Sequence, residues 1–209
     1  MAIDIRDILR LRPYLYHLTD TRNIDRILRT QVLEPAAQIM SRAGRDDLAT
    51  VKRASHVKVS VSGDDIFLRD QAPLHAGNMK LPPDWTFERF VRSLNNRVFF
   101  WPGSASGPIE YGVRHFNRYQ AETPTILRIR LASLLDMNQG LAFDVCRYNS
   151  GSPRWSRGIA APRGTLTFVD PSQANFSASQ IVEITVAGPV NLPRDLEIGT
   201  APTGPWRSP

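Results

Sequence analysis

RVFFWPG, residues 97–103, is the stretch on which the reading of the whole chain turns. An arginine leads four apolar or aromatic residues, and Pro-Gly stops the run. Successive side chains on a strand point to opposite faces. A continuous apolar run closed by a turn signal therefore reads as a strand buried on both sides. Three large rings, Phe99, Phe100 and Trp101, follow one another here. Core packing accounts for some of them, and a ring on the opposite face is left to wall a cleft. Trp101, next to the turn, is the ring expected to reach it.

Working outward, PPDWTFERFVRSLNN (82–96) and YGVRHFNRYQ (111–120) place their rings at helical spacing, so the strand sits between two helices. Near the start, Ile5, Ile8 and Leu9 predict a short amphipathic helix over 3–11, stopped by Pro13. YLYHLT (14–19) alternates as a strand. RNIDRILRTQ (22–31) reads as a helix, with Asp20 or Thr21 available to cap it. Residues 38–56 allow a helix rich in Arg, Asp and Ala. HVKVSV (56–61) predicts a strand, and DDIFLRDQAPL (64–74) is compatible with strand or helix. TPTILRIRLASLL (123–135) begins as a strand, and TLTFVD (165–170) and QIVEITV (180–186) predict two more. Between them, 147–165 is a loop dense in Gly, Pro, Ser and Arg, the kind that carries function in a compact domain. Strands and helices mix without a βαβ rhythm. The expectation is α+β, mostly antiparallel, as one domain over 1–198 followed by a flexible tail over 199–209.

The 209 residues carry a net charge of +6, with 26 basic and 20 acidic side chains. Arginine dominates the bases, and guanidinium suits bidentate phosphate contacts. That balance favours polyanionic partners: nucleic acid or a phosphate-rich small molecule. No apolar run approaches the ~20 residues of a membrane span. The N-terminal stretch mixes acids with bases and has no small-residue cleavage site, so a secretory leader is not expected. A single cysteine, Cys146, makes neither an internal disulfide nor a zinc cluster, which favours the cytoplasm. The four histidines lack metal-ligand spacing, and no metal is expected. P-loop, Rossmann and nucleophile-elbow signatures are absent.

In the last of these strands Val182, Ile184 and Val186 alternate against Glu183 and Thr185. Glu183 is the lone acid within QIVEITV. A carboxylate there is costly unless it faces solvent, is paired or is functional.

Three pieces in order, His17 in YHLT, the rings of VFFW and Glu183 in VEITV, resemble the ADP-ribosyltransferase superfamily, in the branch of diphtheria toxin and the poly(ADP-ribose) polymerases. HLTDTRNIDRIL (17–28) and VEITVAGPV (182–190) also look like segments of DarT-type toxins, which modify DNA bases. VFFW, YNSG (148–151) and RDQAPL (69–74) resemble an uncharacterised bacterial family placed in the same superfamily. The resemblance implies a split, mostly antiparallel sheet and an enzyme that cleaves NAD at the nicotinamide–ribose bond. It implies Glu183 as the catalytic carboxylate. For NAD it implies His17 on the adenosine ribose and backbone at Leu18 and Thr19 near the nicotinamide amide. Phe99, Phe100, Trp101 and Tyr111 are the stacking rings it offers, and Arg42 and Arg45 the pyrophosphate ligands. Tyr148, Asn149, Ser150, Arg154 and Arg157 would meet the acceptor. A single-stranded or extruded DNA or RNA base is the expected acceptor, in a cytoplasmic bacterial toxin or phage-defence effector with an antitoxin protein as partner. The sequence departs from the pattern where phenylalanine replaces the middle-strand tyrosine. Residue 181 is isoleucine, which argues against arginine as acceptor. Transfer to protein, an enzyme of the RNA 2′-phosphotransferase kind, an inactive binding module and a plain interaction domain stay open.

Overall fold

The computed structural model describes residues 2–209. Asp4 caps the first helix, α1 (Ile5–Leu11), by accepting from the Arg6 N–H at 2.8 Å. Strand β1 (Tyr14–Thr19) follows. Asp20 then caps a 3₁₀ turn that leads into α2 (Ile24–Thr30), so the helix is shorter than the 22–31 expected. After β2 (Val32–Leu33), the 38–56 segment contains only α3 (Ala36–Arg42) and a 3₁₀ turn at Asp46–Thr50. Strands β3 (Val57–Val61) and β4 (Asp64–Leu68) form a hairpin, which decides the ambiguous 64–74 stretch. Ser62 and Gly63, with φ of 53° and 87°, supply its tight turn. The chain continues through β5 (Met79–Lys80) to α4 (Phe87–Asn95), whose cap is the Thr86 hydroxyl. RVFFWPG becomes β6 (Arg97–Ser104), paired back to β7 (Gly107–Pro108). Next come α5 (Glu110–Tyr119), β8 (Thr125–Arg130) and α6 (Leu131–Met137). Strands β9 (Asp144–Cys146), β10 (Ala161–Pro162), β11 (Glu183–Ala187), β12 (Val190–Asn191) and β13 (Glu197–Gly199) complete the chain.

The fold is α+β. A seven-stranded antiparallel sheet runs β13-β8-β1-β6-β11-β9, with β7 attached to β6. The register of β6 matters most. Its C-terminal half pairs with β1, Tyr16 opposite Trp101 and Tyr14 opposite Gly103. Its N-terminal half pairs with β11, Phe100 opposite Ile184 and Arg97 opposite Ala187. Beyond Tyr16 and Trp101 the β1–β6 ladder stops, so the sheet is split at that point.

Alternation along β6 sends Val98 and Phe100 into the main core with Leu15, Ile184 and Val186. Phe99 and Trp101 face the other way, and each packs against a smaller cluster.

Two expectations fail. TLTFVD is not a strand; only Val169 bridges Val145, because Gly164 and Thr167 tie that segment into a turn. The tail is not loose either. Arg207 and Ile198 exchange backbone hydrogen bonds, and Trp206 packs on Tyr16 and the Arg128 guanidinium. Its single aromatic anchor is invisible to composition.

Candidate functional site

A cleft of about 630 Å³ opens where β1 and β6 part. That is ample for a small-molecule site. His17, Leu18 and Thr19 line it from β1, Phe99 and Trp101 from β6, Tyr111 from α5, and Tyr148–Ser150 from the loop after β9. Glu183, first residue of β11, lines it as well.

His17 holds the split. Its Nδ1 lies 2.9 Å from the Phe99 carbonyl oxygen, across the gap where the backbone ladder has ended. A carbonyl only accepts, so Nδ1 carries the proton and Nε2 keeps its lone pair. Burial pushes the His17 pKa down, which keeps the ring neutral.

Glu183 is 3% exposed. Both carboxylate oxygens accept from the Ser150 backbone N–H, at 3.3 and 3.2 Å. Burial pushes its pKa up to about 7, outweighing that hydrogen bond and the pull of Arg163. The loop that supplies the N–H is itself clamped. Buried Arg163 donates to the carbonyls of Asn149 at 2.8 Å, Ser150 at 3.2 Å and Pro162 at 2.8 Å, and stands over the Tyr148 ring. With its donors spent on carbonyls, the guanidinium orders the loop instead of pairing with the carboxylate. Ser150 Oγ is buried without a partner.

Aromatic side chains form the opposite wall. Trp101 lies 5.4 Å from His115, which lies 5.2 Å from Tyr119. Gly112 lets α5 approach that closely: a Cβ there would fall 2.9 Å from the Trp101 side chain. Burial holds the His115 imidazole at about 3, far below its ordinary value, so it too is neutral.

Besides Arg154, positive charge comes from arginines outside the expected set. Arg69 stacks on Tyr119 at 3.8 Å, and its Nε and Nη2 are buried without hydrogen-bond partners, Glu122 lying 3.8 Å from Nη2. Neighbouring Asp70 accepts from the Tyr119 hydroxyl at 3.1 Å. Buried Arg53 contacts the Arg69 carbonyl at 2.7 Å and Asn95 at 2.7 Å. Nine arginines and three carboxylates line the cleft, so it favours anions.

The structure separates the expected residues cleanly. His17, Leu18, Thr19, Phe99, Trp101, Tyr111, Tyr148, Asn149, Ser150, Arg154 and Glu183 share the cleft. Phe100 does not; strand alternation turns it into the core, where it is 1% exposed. Arg42 and Arg45 are also outside, ion-paired with Glu34 and Asp47 respectively. The helix expected to aim them ends at Arg42. Arg157 occupies a turn tip beyond the cleft. Arg69 was reachable from sequence, as the first polar residue after the DDIFL strand. Arg163 was not, since nothing in a Gly/Pro loop marks one arginine as buried.

A model of the family of unknown function DUF7002 matches residues 13–196. The chain belongs to that family. The match takes in every cleft residue named above. No curated protein and no solved structure matches the chain.

Proposed function

We propose that this DUF7002 protein is an NAD-dependent ADP-ribosyltransferase whose acceptor is a base of single-stranded or extruded nucleic acid. The observation that carries the reading is the split at β6. Three adjacent strands contribute a neutral imidazole, two aromatic rings and a buried carboxylate to one anion-favouring cleft.

The chemistry fits those groups. Breaking the nicotinamide–ribose bond leaves positive charge on the ribose ring. A carboxylate beside it stabilises that charge and takes the proton from the attacking acceptor. Glu183 holds its proton with a pKa of about 7, so it is half ionised near neutrality and suits both tasks. The Ser150 N–H fixes its orientation. His17 Nε2 is available to accept from a ribose hydroxyl. Phe99 and Trp101 give the nicotinamide apolar faces, and Arg69 gives the pyrophosphate two nitrogens that make no hydrogen bond within the protein, one of them 3.8 Å from the Glu122 carboxylate.

The test is to incubate the protein with NAD labelled in the adenylate phosphate and with single-stranded DNA or RNA, then denature and separate. The reading expects label covalently attached to the oligonucleotide. Label found only on protein would move the acceptor to protein. Label in neither, with NAD intact, would remove the transferase reading.

A further inference from the structure

We propose that the segment 154–159 is a stacking platform for single-stranded nucleic acid, with Trp155 receiving the base next to the one that enters the cleft. The proposal deepens the functional reading and rests on it for what enters the cleft.

Trp155 is 57% exposed and Ile159 65%. Large apolar side chains this exposed on a short loop signal a contact surface. The loop is also built. Ser156 and Ile159 exchange both backbone hydrogen bonds, at 2.9 and 3.0 Å, around Arg157 and Gly158. Those two residues have φ of 51° and 76°, the two-residue turn that closes a hairpin. The Trp155 indole N–H donates to the Gly77 carbonyl at 2.8 Å, and Asn78 donates to the Pro153 carbonyl at 3.2 Å. The ring is thus held at one edge with a face left open. An aromatic ring fixed before contact loses little conformational entropy on stacking.

Charge names the occupant. From Arg147 to Val169 the chain has no acidic residue and four arginines. Arg163 is spent inside the loop. Arg147, Arg154 and Arg157 are exposed, and among the described residues none of them enters an ion pair. Elsewhere Arg6, Arg22, Arg29, Arg45 and Arg114 pair with carboxylates, and the exposed arginines that do not, such as Arg92, Arg118 and Arg194, are scattered over separate elements instead of gathered in one acid-free loop. Arg147 precedes Tyr148 and Arg154 precedes Trp155, so cation and ring alternate. Backbone-tracking cations with interleaved rings are what single strands require. Arg154 and Ser156, on either side of Trp155, line the cleft, which puts the platform at its rim.

The experiment is fluorescence anisotropy with labelled oligothymidylate and oligouridylate of about 12 nucleotides, and a duplex of the same length, without NAD. Wild type should bind a single strand more tightly than the duplex. Trp155→Ala should weaken that binding about tenfold, and Trp155→Phe should restore most of it. Equal binding by wild type and Trp155→Ala, or no binding of either oligonucleotide, would overturn the proposal; the latter would leave the surface to a protein partner. Nicotinamide release from NAD is read on the same wild-type sample. Trp155-dependent binding without release would sink the transferase reading and leave the platform standing. Release with Trp155-independent binding would do the reverse.

Discussion

Replacing Glu183 by glutamine should make the protein more stable, by an amount that is absent near pH 4, grows as pH rises and levels off above about 7. The carboxyl is buried and sits at about 7 in the folded chain against an ordinary 4.5. Between those values the folded state keeps the proton while the unfolded state has lost it. Raising the pH through this window therefore destabilises the wild type. Each tenfold difference in proton affinity is worth about 1.4 kcal/mol, so the cost grows from nothing near pH 4 to ~3 kcal/mol by pH 8. Glutamine carries no such charge, and its amide oxygen can still accept from the Ser150 N–H. For a chain of this length the gain corresponds to about 6–12 °C in Tm at pH 8. The assay is urea unfolding of both proteins at half-unit intervals from pH 5 to 8.5. His17 and His115, with depressed pKa values, lose stability in the opposite direction, as pH falls. They are common to both proteins and cancel in the difference. A difference that is flat with pH would refute the reasoning, since it would mean that Glu183 is not buried as a proton-holding acid.

The remaining predictions concern the surroundings of that carboxylate. Arg163→Ala removes the clamp on three carbonyls and should cost about 2–4 kcal/mol in urea unfolding; a loss below 1 kcal/mol would show that the loop orders itself. Burial pushes the Cys146 thiol pKa up, so it should not react with Ellman's reagent until the protein unfolds. Fast labelling of the native protein would contradict its position beneath the 148–150 loop. Under the proposed function, Arg69→Ala should raise the KM for NAD about tenfold, whereas Arg45→Ala, whose partner is Asp47 on the surface, should leave it within about twofold. The opposite ranking would return the pyrophosphate to the surface arginines.

Much of the framework was legible because it rests on local rules. The alternation of YLYHLT and of QIVEITV and the apolar run of RVFFW each mark a strand, the late one starting only at Glu183 because a 3₁₀ turn takes 178–180, and the helices flanking RVFFW follow from spacing. Trp101 reaches the cleft as its place beside the turn suggested, but which phenylalanine shares that face was not legible. Strand parity needs one anchor, and here that anchor is the pairing of Phe100 with Ile184 over the core. The choice of arginines failed for a related reason. Arg42 and Arg69 look alike in sequence, yet one meets Glu34 at 2.9 Å across a turn and the other reaches a cleft beside Tyr119 with Glu122 no nearer than 3.8 Å. Ion pairing is decided by tertiary neighbours. TLTFVD shows the limit of propensity: apolar content suggests a strand, but the hydrogen bond from Gly164 N–H to the Thr167 hydroxyl, at 2.8 Å, closes a turn first.

Nicotinamide release from NAD, followed side by side in the wild type and in Glu183→Gln with single-stranded DNA or RNA present, tests the central claim most directly. The account predicts release by the wild type that rises with pH through about 7 and falls at least about 100-fold in the variant. Equal release by both proteins, or none by a folded wild type, would contradict it.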